Sequence, residues 1–214
     1  MSDFRIKAYP VGQMDTNCYV IYRESLQKAV IIDPGDEGAF LLDRLNKLSV
    51  TPEAILLTHG HFDHIMAVRT IKDAYPECKI YAGKLEKDLL EDPAINLSAN
   101  FGKALQIKPD LYMNDQEILS LAGISFRVLF TPGHTGGSVC YLVEEEGVLI
   151  SGDTLFYQSL GRTDLPTGDQ RKIINSIKEK LYTLPEDTMV YPGHGEITTI
   201  AHEKVYNPVA LYRE

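Results

Sequence analysis

Apolar residues in this chain gather in short unbroken runs bounded by turn residues. The first two such runs, 17–22 and 29–33, are β-rich and predict an antiparallel hairpin closed by Pro34-Gly35. From Gly38 the spacing changes, with Phe40, Leu41, Leu42, Leu45 and Leu48 recurring at helical period, and the next strand-like run starts at Ala54. A helix over 65–75, a strand over 79–82 and a helix over 84–91 follow. Between 92 and 115 the pattern weakens, broken by Pro93, Gly102 and Pro109, which predicts a surface loop beside a pocket. Strands are then expected over 117–121, 124–130, 138–143 and 148–151. After them come a long loop, a helix over 170–182, a strand ending at His194, and a last helix over 198–206 that stops before Pro208.

The order is hairpin, strand and helix, met twice. It predicts an α/β chain in which two β-rich halves pack face to face with helices outside, a four-layer αββα sandwich. At 214 residues the chain suits one domain spanning 1–214, and no linker or second composition divides it.

Composition narrows the partners. The 30 acids against 21 bases give a net charge of −9, the wrong sign for a broad basic face that binds nucleic acid. A small substrate remains open, an anionic one included, because bound dications would make a pocket locally positive. Cys18, Cys78 and Cys140 form no CxxC pair and suit a reducing compartment, each as a small buried apolar residue. No apolar run approaches the roughly 20 residues of a membrane helix. The first residues lack a signal-peptide pattern, so a cytoplasmic location is expected. Oligomeric state is left open.

Chemistry enters where the apolar runs stop. Four strand-like runs end at turns carrying histidine or aspartate: Thr58-His59-Gly60-His61-Phe62-Asp63-His64, Thr131-Pro132-Gly133-His134, Ser151-Gly152-Asp153 and Tyr191-Pro192-Gly193-His194. Residues just past strand ends lie at one rim of a sheet, so four rims facing the same way can converge. Imidazole and carboxylate suit zinc, iron or manganese, and no cysteine joins the set, which favours catalysis over a closed structural zinc. In an extended turn His59 and His61 point to one side, whereas Asp63 and His64 open the following helix toward a second position. His134 would complete the first half-site and His194 the second, with Asp153 able to bridge. A water activated between two such dications is nucleophilic at neutral pH.

The run from Thr58 to His64, followed by His134, Asp153 and His194, resembles the metallo-β-lactamase superfamily motif H-x-H-x-D-H with later H, D and H. The hairpin end Ile31-Ile32-Asp33-Pro34-Gly35 is similar too. The resemblance implies His59, His61 and His134 on one metal, Asp63, His64 and His194 on the other, and Asp153 between them. Zinc is the expected metal, with iron or manganese as alternatives.

Within that superfamily, Asp153-Thr154-Leu155-Phe156, Gly161-Arg162-Thr163-Asp164, Gly193-His194-Gly195-Glu196 and Asn207-Pro208 resemble short hydrolases of the glyoxalase II type. The implied reaction is hydrolysis of a small thioester such as S-lactoylglutathione, with Arg162 meeting the glutathione moiety and Asp63 orienting the water or taking its proton. Two positions after Arg162 the tyrosine of that type is replaced by Asp164, and its C-terminal helical extension has no counterpart before Glu214. The Gly-Arg-Thr-Asp segment is shared with persulfide dioxygenases, which would use one iron on His59, His134 and Asp153. A lactonase is a further alternative. A secreted β-lactamase is not expected, because the common zinc types carry cysteine at the position of Asp153.

Overall fold

The unbroken apolar runs form strands whose two faces are both covered. In the computed structural model, which describes residues 3–212, β1 (Phe4–Val11), β2 (Thr16–Arg23), β3 (Lys28–Ile32), β4 (Thr51–Leu56), β5 (Lys79–Gly83) and β6 (Leu111–Met113) form a six-stranded sheet in that spatial order. The pairs β1–β2 and β2–β3 are antiparallel and the rest parallel. A second six-stranded sheet holds β7 (Ile118–Leu121), β8 (Ile124–Phe130), β9 (Val139–Val143) and β10 (Val148–Gly152). A small hairpin of β11 (Leu155–Phe156) and β12 (Ser159–Leu160) then precedes β13 (Met189–Pro192) and β14 (Thr198–Thr199), which complete the second sheet in the order β14-β13-β10-β9-β8-β7.

Alternation assigns each side chain to a layer. On β2, β3 and β4, residues Tyr19, Ile21, Val30, Ile32, Ala54 and Leu56 face Phe126, Val128, Tyr141 and Ile150 of the opposite sheet and make the central core. Their neighbours Val20, Ala29, Ile31 and Ile55 turn outward under α1 (Gly38–Leu48), α2 (Phe62–Ile65) and α3 (Val68–Ala74) through Leu41, Leu45, Ile65, Val68 and Ile71. On the far side, beyond α4 (Lys87–Glu91) in the chain, α5 (Gln170–Glu179) and α6 (Ile200–Tyr206) cover Cys140, Leu142, Leu149 and Val190 with Ile173, Ile177 and Ile200. This is the four-layer αββα arrangement. All three cysteines are buried and free, and no helix among the described residues is long and apolar enough to cross a membrane.

Several elements depart from the sequence expectation. The helix expected over 65–75 is two helices, because the amides of Met66 and Ala67 donate to the carbonyls of Gly35 and Pro34 instead of to the preceding turn. The helix over 170–182 ends at Glu179 and continues as a 3-10 turn over Leu181–Thr183. Strand β1 was not expected; it lies at a sheet edge with little burial alternation and is held by its ladder to β2. The 92–115 segment is irregular as expected, yet it contains a 3-10 turn over Ser98–Phe101 and gives β6 to the sheet edge. The last helix starts at Ile200, where the Thr199 side chain accepts from the His202 amide.

Candidate metal centre

Strands β8, β10 and β13 run in one direction, since β9 is antiparallel to both β8 and β10 while β10 and β13 are parallel. Their C-terminal ends therefore share one rim, and His134, Asp153 and His194 follow those ends. From the other sheet β4 delivers His59 and His61, and α2 opens with Asp63 and His64. Hydrogen bonds stitch the two rims together: the Val139 amide donates to the Thr58 carbonyl at 2.8 Å, the Asn17 amide to Gly193 at 2.8 Å, and the Tyr141 hydroxyl to Leu57 at 2.6 Å. Gly193 is tightly enclosed at this rim. A Cβ there would stand 2.2 Å from Oδ1 of Asp153 and 2.9 Å from Cε1 of His64.

All seven residues singled out from the motif meet at this rim, in two groups of potential ligands. His59, His61 and His134 form one and Asp63, His64 and His194 the other; a third cluster of ligand-type groups, Asp33, His59 and His64, overlaps both. Asp153 lies between them, with Oδ1 3.4 Å from Nε2 of His64 and Oδ2 3.5 Å from Nε2 of both His134 and His194.

The far ring nitrogens set the tautomers. Nδ1 of His134 donates to the Arg162 carbonyl at 2.8 Å and Nδ1 of His194 to the Met14 carbonyl at 3.0 Å. Nδ1 of His64 donates to Oδ2 of Asp33 at 2.9 Å. The Thr58 hydroxyl donates its one proton to Asp33 at 2.5 Å, so it accepts from Nδ1 of His59 at 3.1 Å. In its neutral form each of these four histidines then turns the lone pair of Nε2 inward. Nε2 of His134 stands 3.2 Å from Nε2 of His59 and 2.9 Å from Nδ1 of His61. The lone pairs of His134 and His59 repel at this distance unless a cation lies between them, whereas the His61 contact is a hydrogen bond when Nδ1 of His61 carries the proton. Nε2 of His64 and Oδ1 of Asp153 are buried with no hydrogen-bond partner, which is costly for polar atoms unless something coordinates them. The donor set fits divalent metal.

Electrostatics separate the two groups. Burial, reinforced by neighbouring histidines, pulls His59 well below the usual imidazole range and His61 down to about 3, and burial lowers His134 as well. These three are neutral donors. Burial also opposes charge on His64, but Asp63, Asp153 and Asp33 outweigh it and push His64 up to about 10. Burial would raise Asp63, yet His64 and His194 hold it well below the usual carboxylate range, and Asp63 in turn raises His194 against its own burial.

Three supporting residues were not singled out from the sequence. Asp33, read there only as the end of a hairpin, accepts from the Thr58 amide, the Thr58 hydroxyl and His64, and so orients one histidine of each group. Thr58 relays that hold to His59. Glu86 is 1% exposed and accepts from the Gly60 amide at 2.9 Å and the Thr135 hydroxyl at 3.0 Å, tying the His59–His61 turn to the His134 turn. A buried acid at one end of a predicted helix was the only available signal for it.

A cavity of about 430 Å³ opens over the centre, and Arg162 stands among its lining residues. The Arg162 side chain is exposed and bonds both carboxylate oxygens of Asp164, at 2.7 Å each.

The model of the metallo-beta-lactamase superfamily matches residues 11–194. Hydroxyacylglutathione hydrolase GloC of Haemophilus influenzae is 36% identical over 95% of this chain and 96% of its own length. Among solved structures, BLEG-1 B3 metallo-beta-lactamase superposes with a TM-score of 0.90 at 43% identity, covering 95% of this chain and 98% of its own. TTHA1623 in a di-iron-bound form superposes with a TM-score of 0.84 at 36% identity, covering 94% and 98%.

Proposed function

This chain belongs to the metallo-beta-lactamase superfamily, and from that premise we propose that it is a metal-dependent hydrolase acting on thioesters. The observation that carries the reading is the inward frame of imidazole lone pairs with Asp153 reaching both groups. Similarity to the hydroxyacylglutathione hydrolase adds the thioester. In this reading His59, His61 and His134 hold one divalent ion, Asp63, His64 and His194 the other, and Asp153 is shared. Zinc is our choice, with iron or manganese as alternatives. Such ions supply a water that is nucleophilic at neutral pH and a Lewis acid for the carbonyl oxygen.

The protein's own groups account for the remaining steps. Asp63 is ionised at neutral pH and is steadied by the Thr16 hydroxyl at 3.0 Å, so it can accept a hydrogen bond from the attacking water and orient it. Water oxygen bonds to the carbonyl carbon, the C–S bond breaks, and the sulfur leaves with the electron pair, giving a carboxylate, a thiol and one proton. A thiol with pKa of about 8.5 leaves without a strong general acid. In keeping with that, no Lys, Tyr, Cys or Glu stands among the described residues lining the cavity. A β-lactam amide would have the poorer leaving group.

The test is thiol release from S-lactoylglutathione and simple acyl thioesters, run beside elemental analysis and a β-lactam control. Close to two metals per chain with thiol release is expected. Asp63→Asn that kept both metals and full turnover would reject the role given to Asp63. A second reading, a mononuclear iron persulfide dioxygenase, draws on the His59, His134 and Asp153 set, with His59 and His134 nitrogens 3.2 Å apart and His134 3.5 Å from Asp153. One iron per chain with oxygen uptake on glutathione persulfide would favour it.

A further inference from the structure

The cavity above the centre has a polar floor and apolar walls. Its floor is made by the ligand groups of His61, Asp63, His134, Asp153 and His194, while Met14, Leu97, Phe101, Phe156, Leu160 and Leu165 stand around it. Phe101 is held in place by Phe62, the two rings stacked at 3.9 Å and 14°. Arg162 is the only Lys or Arg among the described residues lining the cavity, and Asp164 engages it through both carboxylate oxygens, so the pair is close to neutral. Lys103 lines an adjoining recess of about 210 Å³ that also contains the acid Asp36. Among the described residues lining the cavity itself, a carrier with carboxylates at its ends, such as glutathione, meets only Arg162, already bonded to Asp164; Lys103 stands outside it in the recess. A hydrocarbon chain finds two exposed apolar side chains, Met14 and Phe101, half-exposed at 52% and 50%, beside the partly buried Leu97, Phe156, Leu160 and Leu165.

We infer that the substrate is a thioester whose acyl group is an uncharged apolar chain lying along this wall, joined to a thiol carrier without carboxylates. The inference rests on the thioester-hydrolase reading for the position of the scissile bond over the ligands, and on the wall for the identity of the chain. Each methylene that enters the wall leaves water, which strengthens binding roughly fourfold until the cavity is full.

Two measurements separate the inference from the reading beneath it. The first is titration calorimetry of the metal-loaded protein with S-(2-oxoalkyl) thioethers of N-acetylcysteamine, in which a methylene between sulfur and carbonyl prevents hydrolysis. The expected result is a Kd that falls roughly fourfold per added methylene, a smaller increment in Leu160→Ala and Phe101→Ala, and no advantage for the glutathione conjugate of the same chain. A Kd independent of chain length overturns the inference. So does a glutathione conjugate that binds more than tenfold tighter and loses that advantage in Arg162→Ala. The second is thiol release from the matching thioesters. Chain-dependent binding with no thioester cleaved sinks the hydrolase reading and leaves the ligand class standing; cleavage of every thioester with flat binding does the reverse.

Discussion

Replacing Glu86 by Gln tests whether a residue that touches no metal ligand nonetheless holds the centre together. Its carboxylate is buried and each oxygen is used, one by the Gly60 amide between His59 and His61, the other by the Thr135 hydroxyl beside His134. The Gly137 amide bonds to the same carboxylate. Glutamine keeps the shape but offers one acceptor and one NH2, so either the Gly60 amide faces a donor, or the Thr135 hydroxyl turns to accept and gives its proton to Ser138 Oγ at 2.6 Å, leaving the Gly60 and Gly137 amides one acceptor between them. A buried donor left without a partner costs about 1–3 kcal/mol. If that cost falls on the spacing of the two turns, metal affinity drops between roughly fivefold and a hundredfold.

The charge of Glu86 adds a second, opposite effect. Burial raises the acid from 4.5 to about 7 against the pull of its hydrogen bonds. The folded protein therefore keeps a proton that the unfolded chain has lost between those values, and stability falls as pH rises through that window, by about 3 kcal/mol in total. Glutamine removes this dependence. Metal affinity is read by competition with a chromogenic chelator at pH 7.5, and stability by urea unfolding of the metal-free protein at pH 5 and 7.5. Metal affinity within twofold of the parent, together with an unchanged pH dependence of stability, would refute the reasoning.

Other outcomes follow from the same geometry. Asp33→Asn loses the acceptor that orients His64 and, through Thr58, His59; metal affinity is expected to fall about 10–100-fold in the same chelator competition. Because His64 is pushed up to about 10 in the absence of metal, metal uptake at pH 8 should release a proton, measurable by calorimetry in buffers of different ionisation heat. The sign for the metal-free fold is the reverse: stability from the charged His64 is complete below pH 6.5 and is lost as pH rises toward 10, which urea midpoints across that range will show. Gly193→Ala brings a Cβ to 2.2 Å from Asp153, so metal content should fall to background and the thermal midpoint should drop.

The local pattern by itself determined the layers and the histidines and aspartates that converge at the rim. Runs such as Tyr19–Ile21 and Val30–Ile32 are apolar at every step because both faces of their strands are covered, and that periodicity is a property of adjacent residues. The histidines and aspartates were legible because they sit where those runs stop. What the tertiary structure decided depends on contacts between residues far apart in the chain. Asp33 meets Thr58 and His64 across 25 and 31 positions, and Glu86 meets Gly60 and Thr135 across 26 and 49. No spacing rule places such partners together. The break at Met66 and Ala67 arises in the same way, since only the folded chain brings the carbonyls of Pro34 and Gly35 within reach. The apolar wall takes Leu97 and Phe101 from a segment without periodicity, where side chains acquire a direction only from what they pack against.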